Sequence, residues 1–84
     1  MFTWQVALVR EQGVEFAVVC VQDDALDNPS ERDELIRWWT IQLARPVALL
    51  GARRHRSYGR RDIGGWLQNV NPSRLPWRQM TVAA

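Results

Sequence analysis

Lysine is absent from this chain of 84 residues, and all eleven basic side chains are arginine. Arginine forks onto phosphate or carboxylate in two parallel bonds, where lysine offers only a point charge. A G+C-rich coding sequence would also replace lysine by arginine with no functional cause. Cysteine and histidine occur once each, as Cys20 and His55. A lone cysteine excludes an intramolecular disulfide, and one residue of each type is too few for a zinc-type cluster. Cys20 lies in the apolar run Val18-Val19-Cys20-Val21, where a buried, inert thiol is expected. No apolar run approaches the ~20 residues that cross a bilayer. The first residues carry neither the basic n-region nor the apolar h-region of a secretory leader. These absences leave the expectation of a soluble, cytoplasmic protein with no membrane partner, no metal and no cofactor. Internal repeats and low-complexity tracts are missing as well.

The length fits one domain, 1–84, and a modest core. Five tryptophans, Trp4, Trp38, Trp39, Trp66 and Trp77, can fill such a core with few residues. Charge is unevenly placed. Residues 1–34 set two arginines against eight carboxylates, a net −6, whereas residues 35–84 set nine arginines against Asp62 alone, a net +8. Such asymmetry points to an anionic partner.

Along the chain, Phe2, Trp4, Val6 and Leu8 alternate with Thr3, Gln5, Ala7 and Val9, the period of a strand with one strongly apolar face. Glu11-Gln12-Gly13 supplies a turn. Residues 14–22 are apolar on both faces apart from Glu15 and Gln22, as in an inner strand covered on two sides. Ser30 to Asp33 resembles a capping box, which puts a helix start at Ser30. Leu35, Ile36, Trp39 and Leu43 share one stripe of that helix, with Trp38 at its margin and Ile41 pointing away. Val47 to Gly51 reads as a buried strand, parallel to the second and reached by a right-handed crossover. Ile63, Trp66, Leu67 and Val70 then predict a second helix capped by Asp62. Residues 78–82 end the pattern as an edge strand. The expected fold is therefore α/β (α+β): a single-domain ββαβαβ two-layer sandwich with a four-stranded mixed sheet and two helices. Two helices on one face would leave the second strand's other apolar face uncovered. A homodimer, through that face or through Ile41 and a neighbouring tryptophan, is expected to cover it.

The chemistry concentrates between Gly51 and Asp62. Five arginines occur within nine residues there, Arg53, Arg54, Arg56, Arg60 and Arg61, together with His55 and the sole tyrosine, Tyr58. The expectation is a non-enzymatic binding protein whose arginine-rich loop contacts an anionic macromolecule, nucleic acid first. The arginines would hold phosphates and Tyr58 would stack on a base. The free amides of the second helix's N-terminus would point at the same place. No helix-turn-helix, zinc-finger, RRM or KH signature accompanies the run. The alternative is a protein–protein module that sets exposed tryptophan and arginine against an acidic protein surface, with Trp77 as an anchor. A phosphodiester or phosphoryl-transfer enzyme would need His55 as base and Asp23 or Asp24 for a metal, but no Walker loop or nucleophile elbow is present, so no catalytic residue is assigned. The acidic loop Asp23, Asp24 and Asp27 is expected on the same sheet edge as the basic one, where opposite charges would neutralise each other in partly exposed pairs.

Overall fold

The computed structural model describes residues 2–11, 13–53 and 56–82. Strands β1 (Phe2–Glu11) and β2 (Val14–Val21) form the expected antiparallel hairpin. Gly13 sits at its turn with φ of 77°, the left-handed conformation that favours glycine. A short helix α1 (Asp23–Asp27) and a longer α2 (Pro29–Leu43) carry the chain back. β3 (Val47–Gly51) then pairs parallel with β2, Ala17 facing Val47 and Val21 facing Gly51. Next come β4 (Ser57–Tyr58), α3 (Arg61–Gln68), a 3-10 turn over Pro72–Arg74, and β5 (Trp77–Val82), antiparallel to β1. The sheet order is β4-β3-β2-β1-β5.

The mixed α+β class holds, and its details differ from expectation. The sheet has five strands rather than four, because Ser57 and Tyr58 pair with Leu50 and Leu49 inside the charged segment. Two residues are too few to show a period. Among the described residues there are three α-helices, and the layering is three-deep rather than a two-layer sandwich. Val6, Ala17, Val19, Val47 and Leu49 pack under α1 and α2, joined by Leu26 and Trp39. Their sequence neighbours Ala7, Phe16, Val18, Ala48 and Leu50 pack on the other face with Ile63, Leu67 and Leu75. Since alternate strand residues face opposite sides, the two clusters lie on opposite faces of the sheet. α3 therefore supplies the cover that β2 was expected to find in a second subunit.

The helix starts also move. Asn28, not Ser30, caps α2: its Oδ1 accepts from the Glu31 N–H at 3.2 Å, with Pro29 following in the first turn. Arg60 occupies the cap position of α3 and Asp62 lies one residue inside it, its Oδ1 accepting from the Ile63 N–H at 2.9 Å. Four tryptophans behave as core material. Trp39 is buried, Trp4 meets it edge-on at 5.6 Å, Trp66 meets Phe16 at 5.5 Å, and Trp77 packs beside the second cluster.

Two backbone positions test this fold in opposite directions. A Cβ on Gly59 (φ 155°) would come within 3.1 Å of Ala48 and 3.2 Å of the Val47 carbonyl oxygen. Ala44 ends α2 in the left-handed region at φ 52°, where glycine is preferred. Gly59→Ala should lower stability by about 1–3 kcal/mol, and Ala44→Gly should raise it by about 0.5–1 kcal/mol, in urea unfolding followed by tryptophan fluorescence.

Candidate functional site

Because β2 and β3 are parallel neighbours, both chains leave the sheet at the same edge, the position where open α/β sheets tend to hold ligands. β2 runs into acidic α1 and β3 into the arginine segment. The base of the arginine loop is narrow: the Ala52 N–H donates to the Val21 carbonyl (2.8 Å) and the Gly51 N–H to that of Arg56 (2.9 Å). Gln22, Asp23, Asp24, Asp27, Ala52 and Arg53 line an open cleft of about 580 Å³ there.

The acids and the arginines do face each other. Asp27 Oδ1 pairs with Arg56 Nη2 at 2.9 Å, both side chains being roughly half exposed. Asp23 Oδ1 accepts from the Arg53 backbone N–H at 3.3 Å, and the Arg53 guanidinium is in no ion pair among the described residues. The Tyr58 hydroxyl donates to Asp33 Oδ1 at 2.8 Å. The guanidinium of Arg32, on α2, stacks on the Tyr58 ring 4.2 Å from its centroid, and its Nη1 donates to the Leu26 carbonyl at 3.1 Å. Arg32 thus ties α1, α2 and β4 together. A base stacked on Tyr58 would have to displace it from that ring face.

The described arginines of the segment, Arg53, Arg56, Arg60 and Arg61, do not make one patch. β4 runs antiparallel to β3, so it carries the chain from the edge holding Arg53 and Arg56 back toward the start of β3. Gly59 crosses against Ala48 and Val47, and Arg60 and Arg61 lie beyond it. Four extended residues from Arg56 to Arg60 span roughly 13 Å. The N-terminus of α3 therefore points away from the Arg53 end, correcting the expectation that its amides converge on the loop. Arg60 is paired with Asp62 at 2.8 Å. Arg61 is exposed and makes no ion pair among the described residues. Arg54 and His55 lie outside the described residues.

Several other candidates have structural tasks. Trp77 is half-buried and its indole N–H donates to the Pro72 carbonyl at 2.7 Å. Asn71 Oδ1 accepts from both the backbone and the hydroxyl of Ser73, at 3.0 and 2.8 Å, so residues 71–77 form a clasp beside the second cluster. Cys20 is half-buried rather than fully buried; burial first, and then the charge of Asp23, push its thiol above its ordinary pKa. Among the described residues no three His, Cys, Asp or Glu side chains converge as metal ligands, and no helix is long and apolar enough to cross a membrane.

Sequence reasoning missed Arg32. Its partners lie 6 and 26 positions along the chain, Leu26 before it and Tyr58 after, and no local pattern marks either pairing. No protein-family model, curated protein or solved structure matches this chain.

The geometry ranks two arginines. Arg32→Ala removes a stacked cation and a bond to a backbone carbonyl in a partly buried setting, and should cost about 1–2 kcal/mol. Arg56→Ala breaks only an exposed pair and should cost at most about 1 kcal/mol. Arg32→Lys should recover little, since an ammonium cannot lie flat on Tyr58. Chemical denaturation of the three variants gives the comparison.

Proposed function

We propose that this domain is a non-enzymatic, cytoplasmic binding protein that holds an anionic macromolecule, nucleic acid first, along its β4 edge. The observation that carries the reading is that Arg53 and Arg61, one at each end of that edge, are exposed and have no ion-pair partner among the described residues. Arg56 and Arg60 stand beside them, each shared with one carboxylate. Arg54, which follows Arg53 in the sequence, lies outside the described residues. An extended polyanion laid along the edge would meet both ends.

The carboxylates that tie the loop down act in two directions. Through Asp23, which accepts from the Arg53 backbone N–H, they hold one end of the loop in place, so less freedom is lost on binding. They also compete with phosphate for Arg56, and the cleft beside the loop is acidic. The polyanion is therefore expected to touch the outer rim, not enter the cleft. With Tyr58 engaged by Arg32 and Asp33, the attraction is electrostatic and indifferent to sequence.

Fluorescence anisotropy with labelled single-stranded and duplex DNA and RNA, at several salt concentrations, tests the reading. With two free and two half-neutralised arginines, the log–log salt slope should be roughly −2 to −3. Arg53→Ala and Arg61→Ala should each weaken binding and flatten the slope by up to about one. Asp27→Asn, which frees Arg56, should tighten binding and steepen the slope. No binding at low salt, or affinity indifferent to all three substitutions, would remove nucleic acid and leave an acidic protein surface as the partner to seek.

A further inference from the structure

We infer that the outward face of α2 is an interface with a second copy of this chain, the two helices pairing antiparallel about a twofold axis. This stands on different residues from the proposed polyanion edge, and either can fail without the other.

The strip begins with exposure. Among the described residues the exposed large hydrophobics are Leu8, Trp38 and Ile41, and Ile41 is 71 % exposed. At ~100° per residue, Glu34, Trp38 and Ile41 fall within a strip about 60° wide, on the side of α2 away from the buried Trp39. Trp38 is held in place from beneath, edge-on to Trp39 at 4.9 Å. Glu34 heads the strip, exposed and in no ion pair among the described residues. Beyond its foot lies Arg45, just past the helix end, its Nε donating to the Leu43 carbonyl at 3.2 Å.

This order is self-complementary. A twofold axis crossing α2 between Trp39 and Thr40 sets Trp38 against the partner's Ile41, and Glu34 level with the partner's Arg45. It also sets Arg37 level with the partner's Gln42. Each contact occurs twice, as in any isologous interface. The acidic first turns of one helix, with Glu31 and Glu34, then overlie the C-terminal end of the other, which favours both the charges and the helix dipoles. A parallel pairing would set Glu34 against its own copy. Helices cover both faces of the sheet, so the outward face of α2 is where exposed apolar area and complementary charge coincide. One helix pair is small beside the ~1,200–2,000 Å² of a stable complex, so the dimer is reversible and weak.

Sedimentation equilibrium from low to high micromolar concentration should show a monomer–dimer transition. Ile41→Asp should move its midpoint up by at least about tenfold, with the circular dichroism spectrum and melting temperature unchanged. Glu34→Arg and Arg45→Glu should each weaken self-association alone. Mixed in equal amounts they should form a one-to-one dimer, because the one reversed pair and the unchanged Glu34–Arg45 pair are then both complementary. Glu34→Arg carries the charge test by itself if Arg45→Glu, which loses its bond to Leu43, unfolds. A wild-type chain that stays monomeric throughout overturns the inference. So does a dimer that Ile41→Asp leaves intact, or one that Glu34→Arg fails to weaken.

Discussion

The parallel pairing of β2 with β3 governs the rest of the structure. Both strands are apolar on two faces: Phe16 to Val19 and Val47 to Leu50 are all buried. Such a pair must be covered on both sides, since one open face would leave a row of valines and leucines in water. α2 is the crossover that a parallel pair requires, and it covers one face. The other face is covered by chain that follows β3, α3 with Leu75.

The path of the arginine segment follows from that arrangement. β3 ends at one edge of the sheet, while Arg61, the first residue of α3, lies back toward the other. The intervening residues must run down the open side of β3, and they do so as β4 and Gly59. A segment that wraps an edge is solvated on its outer side, and there charged side chains are inexpensive. They also blunt the edge: a two-residue strand flanked by Arg56 and Arg60 is a poor template for another chain. What fixes the wrap is not its ion pairs. The Asp27–Arg56 and Arg60–Asp62 bridges are half exposed and each contributes little. Arg32 under Tyr58, and Gly59 against Ala48, involve partly buried groups and tight packing and are the stronger restraints. The described arginines ride on an edge held by other residues, and Arg53 and Arg61 are in no ion pair among the described residues.

Much of the fold was legible in the sequence because its elements are long enough to show a period. The alternation in β1, the double-sided β2, the stripe of α2 and the Ile63–Val70 spacing all correspond to observed elements. β4 was not legible, being two residues long amid charges. The third layer was missed although its signals were visible: β2 and β3 read as apolar on both faces and α3 carried its own stripe. What lacked was the placement of the helices, which is a matter of topology. The site was less legible than the fold. Density of arginine suggested a single patch, and only the antiparallel turn of β4 against β3 divides it. The pairings Asp27–Arg56 and Asp33–Tyr58 join residues 29 and 25 positions apart, beyond the reach of any local pattern.

The two proposed surfaces bear on one another through geometry. Arg60 lines one open groove with Arg37, Thr40 and Ile41, so pairing through α2 would border that end of each β4 edge, while the Arg53 end, which takes no part in the strip Glu34–Trp38–Ile41, would stay uncovered. Each edge alone offers few phosphate contacts, two of them already half-neutralised, and its affinity for a polyanion would be low. Two such edges on one dimer would share a single long strand, and the second contact would then form at a high effective concentration. A weak dimer and a weak basic edge would reinforce each other in this way: the polyanion would gather chains, and pairing through α2 would add the grip of a second edge. The coupling is reciprocal, so self-association should be stronger on a polyanion than in free solution.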